Sequence, residues 1–250
     1  MFRESLPLLS SLFLASTLHG ASILNPSFED GLPVGQEDAP FYSETAPTGW
    51  TNWSRLENTS TTISQTPMWT HATRSGFPQA SDGSYFVNLS GYGAVVAGET
   101  PVTHNVESGI RTTVSGLTVG YTYTVSVDAA NVLLSNRSVF SSDGFLDAYV
   151  GGVGSTLVLN ESLSITDQLA LTTGGQWESA SIGTYSFSFT ATAEEMDIGF
   201  RARLNDATGD NLGRRFDVAI DNVTIAVPEP SSVMIAGLAA AGALVRRRRI

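Results

Sequence analysis

From residue 121 to residue 129 apolar and polar side chains alternate without a break, with Tyr121, Tyr123, Val125 and Val127 set against Thr122, Thr124, Ser126 and Asp128. A period of two places the sets on opposite faces of an extended chain. The segment is therefore a strand with one buried face; an amphipathic helix would need apolar residues three and four apart. The same alternation recurs in Tyr185, Phe187 and Phe189 against Ser186 and Ser188. It recurs again in Ile198, Phe200, Ala202 and Leu204 against Asp197, Gly199, Arg201 and Arg203. Further strands are expected at 85–89, 110–114, 146–150, 156–159 and 216–225, separated by Gly, Asn, Asp and Ser clusters. In the last of these, Phe216, Val218 and Ile220 share a parity that Val223 and Ile225 do not, so a bulge is expected at Asp221-Asn222. Eight or nine strands without sustained helical periodicity predict an all-β chain, folded as a jelly-roll β-sandwich of two antiparallel sheets.

The ends of the 250-residue chain differ from this middle. Residues 1–21 carry Arg3, then an apolar run through Leu8, Leu9, Leu12, Phe13 and Leu14, and close on the small residues Gly20 and Ala21. This predicts a secretory signal peptide, drawn as a helix and cut after Ala21. The β-domain is then 22–226, a size at which a sandwich forms one unit. It holds 8 basic and 22 acidic residues, a net charge of -14, which disfavours nucleic acid and anionic membrane surfaces as partners. With no Cys, disulfides, thiolate metal sites and thiol nucleophiles are excluded.

The other end, 227–250, has three parts: Pro228-Glu229-Pro230, thirteen apolar residues over 233–245, and the cluster Arg246, Arg247, Arg248 and Arg249. In that order they resemble the PEP-CTERM sorting signal of Gram-negative bacteria. The apolar run, lengthened by snorkelling arginines, approaches the roughly 20 residues of a bilayer span and predicts a short transmembrane helix. Four arginines stay cytoplasmic, which places the body across the inner membrane. The resemblance implies recognition at Pro228, Glu229 and Pro230 by an exosortase-type enzyme, from a transiently membrane-tethered precursor, and delivery to the cell surface or extracellular matrix. A plain C-terminal anchor is the alternative, and both export the body.

Within the body, Asn25-Pro26-Ser27-Phe28-Glu29-Asp30-Gly31, Gly49-Trp50, Ser81-Asp82-Gly83-Ser84-Tyr85 and Ile220-Asp221-Asn222-Val223 form an ordered set. Together with the segment 114–123 they resemble the galactose-binding-like jelly rolls of carbohydrate-binding modules and DUF642-type secreted proteins. That resemblance implies one structural calcium joining the N-terminal segment to the last strand, with Glu29 and Asp221 as ligands; a hard cation takes such carboxylate oxygens. The alternative is a surface acid at Glu29 and a bulge-stabilising acid at Asp221.

No catalytic constellation emerges. His71 and His104 are isolated, and no nucleophile elbow or phosphate-binding glycine loop occurs. Glu194, Glu195 and Asp197 form the densest acidic group, but adjacent acids on a strand diverge, whereas glycoside cleavage needs converging carboxyls; a tight acidic turn is expected instead. Trp53 and Trp69 lie in a polar, aromatic-rich segment and are the candidates for stacking on sugar rings. The alternative is that they plug the core beneath a long loop. The expected protein is non-catalytic and associates with extracellular polysaccharide; a ligand-free matrix protein and a glycoside-active enzyme are the competing readings.

Overall fold

The computed structural model describes residues 20–31, 42–43, 46–53, 55–56, 68–71, 80–95, 103–134, 144–165, 177–179, 181–205 and 215–226. The helices expected in the signal segment and the C-terminal tail, with Pro228 to Pro230 and Arg246 to Arg249, lie outside the described residues. Among those described there is no helix, and hence none long and apolar enough to cross a membrane.

Fifteen strands occur among the described residues: β1 (Ser22–Ile23), β2 (Tyr42–Ser43), β3 (Trp50–Asn52), β4 (Arg55–Leu56), β5 (Met68–His71), β6 (Tyr85–Val95), β7 (Thr103–Glu107), β8 (Gly109–Ser115), β9 (Thr122–Leu134), β10 (Gly144–Gly152), β11 (Val158–Ser164), β12 (Trp177–Ser179), β13 (Gly183–Thr190), β14 (Met196–Leu204) and β15 (Arg215–Ala226). The smaller sheet has the order β1-β8-β14-β10-β11, with β3 also on β8. The larger runs β12-β9-β15-β6-β5-β2, with β13 on β9, β7 on β6 and β4 on β7. Their inward parities meet in one core that includes the fully buried Phe28, Leu89, Ile110, Val125, Phe200 and Phe216. This is an all-β sandwich.

Chain passes between the sheets at Ser108. Its N–H donates to the Ser90 carbonyl at 2.8 Å, its hydroxyl accepts from the Ser90 N–H, and its carbonyl accepts from the Ala202 N–H at 3.1 Å. A fully buried hydroxyl thus satisfies the backbone groups that a sheet-to-sheet corner would otherwise strand.

The bulge expected in the last strand is present. Asp221 pairs with Asp128 but Thr224 with Ser126, so three residues of β15 advance against two of β9, and Asn222 takes up the slack at φ 47°. Three expectations differ. Among the described residues fifteen strands stand where eight or nine were expected, several of them short pairings of two to four residues. The segment 156–159 begins as irregular chain, with β11 starting at Val158. The polar parity of β14 is not solvated: Asp197, Gly199 and Arg201 are buried along with Ile198, Phe200 and Ala202. The cover comes from Trp53 and Leu157, distant in sequence, and it creates the site described next.

Candidate functional site

The recurrent sequence motifs converge on one end of the sandwich and hold it together. Asn25, at φ 52°, donates its amide to the carbonyls of Asp30 and Thr48 at 2.9 and 3.1 Å and accepts the Asp30 N–H. The Trp50 indole donates to the Asn25 carbonyl at 2.9 Å and its ring lies 4.9 Å from that of Phe28, so Trp50 is a core residue at 4% exposure. Val223 N–H donates to the Pro26 carbonyl, tying the N-terminal turn to β15.

Glu29 and Asp221 both reach the 81–85 loop. Glu29 Oε1 accepts the N–H groups of Ser84 and Tyr85, each at 2.8 Å. Asp221 Oδ2 accepts the N–H groups of Ser81 and Asp82 at 2.7 and 3.0 Å and the Ser81 hydroxyl at 3.1 Å, while Oδ1 takes the Asn222 N–H. Gly83, at φ 75°, lets the loop close over Glu29, because a Cβ there would sit 2.3 Å from the Glu29 carboxyl carbon. These donors around both acids are N–H and O–H groups of the 81–85 loop and of Asn222, a set that fits a loop clasp. Among the described residues no three His, Asp or Glu side chains gather at metal-binding separations.

The candidate site lies on the outer face of the smaller sheet. One cross-strand row there runs Thr51, Arg111, Gly199, Tyr149 and Leu159 over β3, β8, β14, β10 and β11. Gly199 leaves a gap in the row and Trp53 fills it: a Cβ on Gly199 would come within 2.9 Å of the Trp53 ring and of Leu157. Trp53 is fixed through its backbone, its N–H donating to the Gly109 carbonyl at 2.7 Å and its carbonyl accepting Arg201 Nε at 3.0 Å. The Arg201 guanidinium sits 3.4 Å from the Trp53 ring centroid, a cation–π contact, and the Tyr149 ring meets Trp53 edge-on at 4.9 Å. Burial, helped by Glu107 and Asp147, holds the Tyr149 phenol above its ordinary value, so it stays neutral.

A cleft of about 460 Å³ opens beside this stack, walled by Trp53, Tyr149, Arg111, Arg201 and the 154–157 loop. A second, of about 240 Å³, adjoins it and shares Arg111 and Gly154 with the first. Neighbouring charges are already paired. Arg203 makes a two-pronged ion pair with the buried Asp147, and Asp197 accepts the Thr113 hydroxyl at 2.7 Å and the Gly154 N–H at 3.0 Å. Glu194 and Glu195 are exposed in the turn preceding β14, as expected.

Of the two tryptophans singled out in the sequence, Trp53 is half-buried in this cleft, with one ring face against Arg201. Trp69 belongs to β5 in the other sheet, in register with Val87, whereas Trp53 follows β3; the Trp69 side chain lies outside the described residues. Sequence reasoning missed Arg111, Arg201 and Tyr149. The available signal was that arginines of a strongly acidic body fall at outward parity on predicted strands.

Comparison with known proteins assigns the C-terminal segment. Residues 226–249 match the PEP-CTERM protein-sorting motif, which marks an exported, exosortase-sorted protein and takes in Pro228 to Pro230 and Arg246 to Arg249. No curated protein matches the chain. Among solved structures, it is similar to the carbohydrate-binding module TmCBM61 in complex with beta-1,4-galactotriose, at 13% identity, covering 82% of this chain and 96% of that one with a TM-score of 0.41. A cleaved adhesin domain of Lys-gingipain from Porphyromonas gingivalis is similar at 12% identity over 84% and 98% of the two chains, with a TM-score of 0.47. A CBM35 module from Paenibacillus barcinonensis is similar at 18% identity over 75% and 97%, with a TM-score of 0.34. At these levels the likeness carries nothing about ligand or site.

Proposed function

We propose that this chain is a non-catalytic protein of the cell surface or extracellular matrix that associates with extracellular polysaccharide through the Trp53 cleft, on a galactose-binding-like jelly roll. Its precursor passes through an inner-membrane-tethered stage by way of the C-terminal apolar segment, and an exosortase-type enzyme removes the tail. Export rests on the sorting motif at 226–249. Binding rests on one observation: a half-buried indole, its backbone fixed on both sides, walling a cleft of about 460 Å³ whose other walls include the hydroxyl residues Tyr149, Ser155 and Thr156, two arginines and Leu157. Aromatic surface beside hydrogen-bonding groups suits a sugar ring, which is apolar on its faces and polar at its rim.

A catalytic role lacks support among the described residues, because Asp147 and Asp197 beside the cleft are each held by hydrogen bonds within the protein and Glu107 behind Tyr149 is buried. In this reading Glu29 and Asp221 are loop clasps and the domain takes no structural calcium. The ligand-free alternative is favoured by the Arg201 contact, which occupies one Trp53 face.

A panel of soluble polysaccharides titrated against the protein, with Trp53→Ala alongside, tests the reading. Binding that falls at least tenfold in Trp53→Ala, with urea unfolding still a single transition, is expected. Absence of binding across the panel would favour the ligand-free reading.

A further inference from the structure

We infer that the cleft selects an anionic saccharide, whose acid group is received by Arg111; this rests on the polysaccharide reading above. The domain has only eight basic residues in a body of net charge -14, yet three of them, Arg111, Arg201 and Arg203, occupy the outer face of one sheet. Their roles differ. Arg203 is neutralised by Asp147, and Arg201 is committed to the Trp53 ring and the Trp53 carbonyl. Arg111 stands between the two adjoining clefts and walls both. Its cross-strand neighbours are Gly199, which has no side chain, and Thr51, and among the described residues no carboxylate pairs with it.

The larger cleft therefore carries two guanidinium groups and no acid on its walls. The one carboxylate that shares the smaller cleft with Arg111, Asp197, is taken up by the Thr113 hydroxyl and the Gly154 N–H, which leaves Arg111 to receive an external anion. The planar fork of Arg matches a carboxylate or sulfate with two parallel hydrogen bonds, which a solvated Lys would not do. Trp53 and Tyr149 supply aromatic surface for the sugar ring that bears the acid group, and the exposed Ser155 and Thr156 supply hydroxyls at the cleft rim. A uronate or sulfated sugar unites these requirements. A simple inorganic anion would leave the aromatic walls unused.

The test compares the full-length protein with Arg111→Gln, Arg111→Lys and Thr156→Glu. Thr156 is exposed at the rim, so its substitution adds a negative charge without opening a core cavity. The probes are polygalacturonate, dextran sulfate, neutral galactan and polyglutamate, titrated calorimetrically at fixed ionic strength. The inference expects acidic polysaccharide binding that weakens at least tenfold in Arg111→Gln and Thr156→Glu and is only partly kept in Arg111→Lys, at unchanged melting temperature. Polygalacturonate against dextran sulfate then separates carboxylate from sulfate recognition. Binding of neutral galactan as tight as the acidic probes, and indifferent to Arg111, would overturn the anionic inference while leaving the polysaccharide reading standing. Equal binding of polyglutamate would show that charge alone is read and would overturn the saccharide. No binding of any probe would overturn both.

Discussion

Asp221 shows how much one side chain of this fold organises. It is 2% exposed and collects four hydrogen-bond donors, three of them backbone N–H groups. Truncation to Ala would remove the acceptor of the Ser81 and Asp82 amides, at about 0.5–1.5 kcal/mol for each hydrogen bond lost, since both residues are exposed and their amides are open to water. Asp221→Ala is expected to lower stability in urea unfolding by at least that amount, and the wild-type melting temperature is expected to be the same in calcium and in chelator. A calcium-dependent rise that disappears in Asp221→Ala would overturn the clasp reading. The sequence singled out Glu29 and Asp221 as calcium ligands, and both meet the 81–85 loop. It did not specify what lies between them, because a carboxylate that binds a cation and one that binds amides look alike in one dimension.

At the scale of the strand, the β15 bulge is the feature that patterning located best. The parity break between Ile220 and Val223 is a local property, and local patterns survive in sequence. The bulge also sets a charge. Asn222 donates its side-chain amide to Asp128 at 3.0 Å, and the Thr184 hydroxyl donates to the same carboxylate at 2.6 Å. Burial pushes Asp128 upward, but the hydrogen bonds from Thr184, Asn222 and Ser81 outweigh it and hold the carboxyl below its ordinary 3.8. A depressed folded value contributes stability above the unfolded value, and that contribution is lost as pH falls through the folded one. Asp221, raised by burial despite its donors, contributes with the opposite sign. Asp128→Asn is therefore expected to lose less stability than wild type between neutral pH and the range below about pH 4, measured by urea unfolding. Equal losses would show that the bulge network does not favour the ionised form. The cover over β14, by contrast, was not legible. The parity of Arg201 predicted solvent, and the Trp53 that covers it lies 148 residues away, a pairing that only the closed sandwich creates.

For the molecule as a whole, the C-terminal segment carries the address and the sandwich carries the surface. The sorting motif matched over 226–249 was legible because it acts as a linear signal, whose order of breaker, apolar run and basic cluster needs no fold. Replacing Pro228, Glu229 and Pro230 together by Ala is expected to leave the protein at precursor mass in the membrane fraction of a host with an exosortase. The wild type should appear outside the cells, lighter by the mass of its tail. Release of the triple variant at mature mass would show that another signal is cut.

Ala226 ends β15, the strand that runs between β6 and β9 and is hydrogen-bonded along both edges. Any pull transmitted through the C-terminal tail therefore acts along the axis of that strand. The ladder with β9 takes the load first, over 221–226, and the ladders with β6 and β9 share it over 217–220. The bulge and the Val223 link to Pro26 add a catch near the loaded end. In the tethered precursor proposed above, the domain would yield to such a pull only when many bonds fail at once.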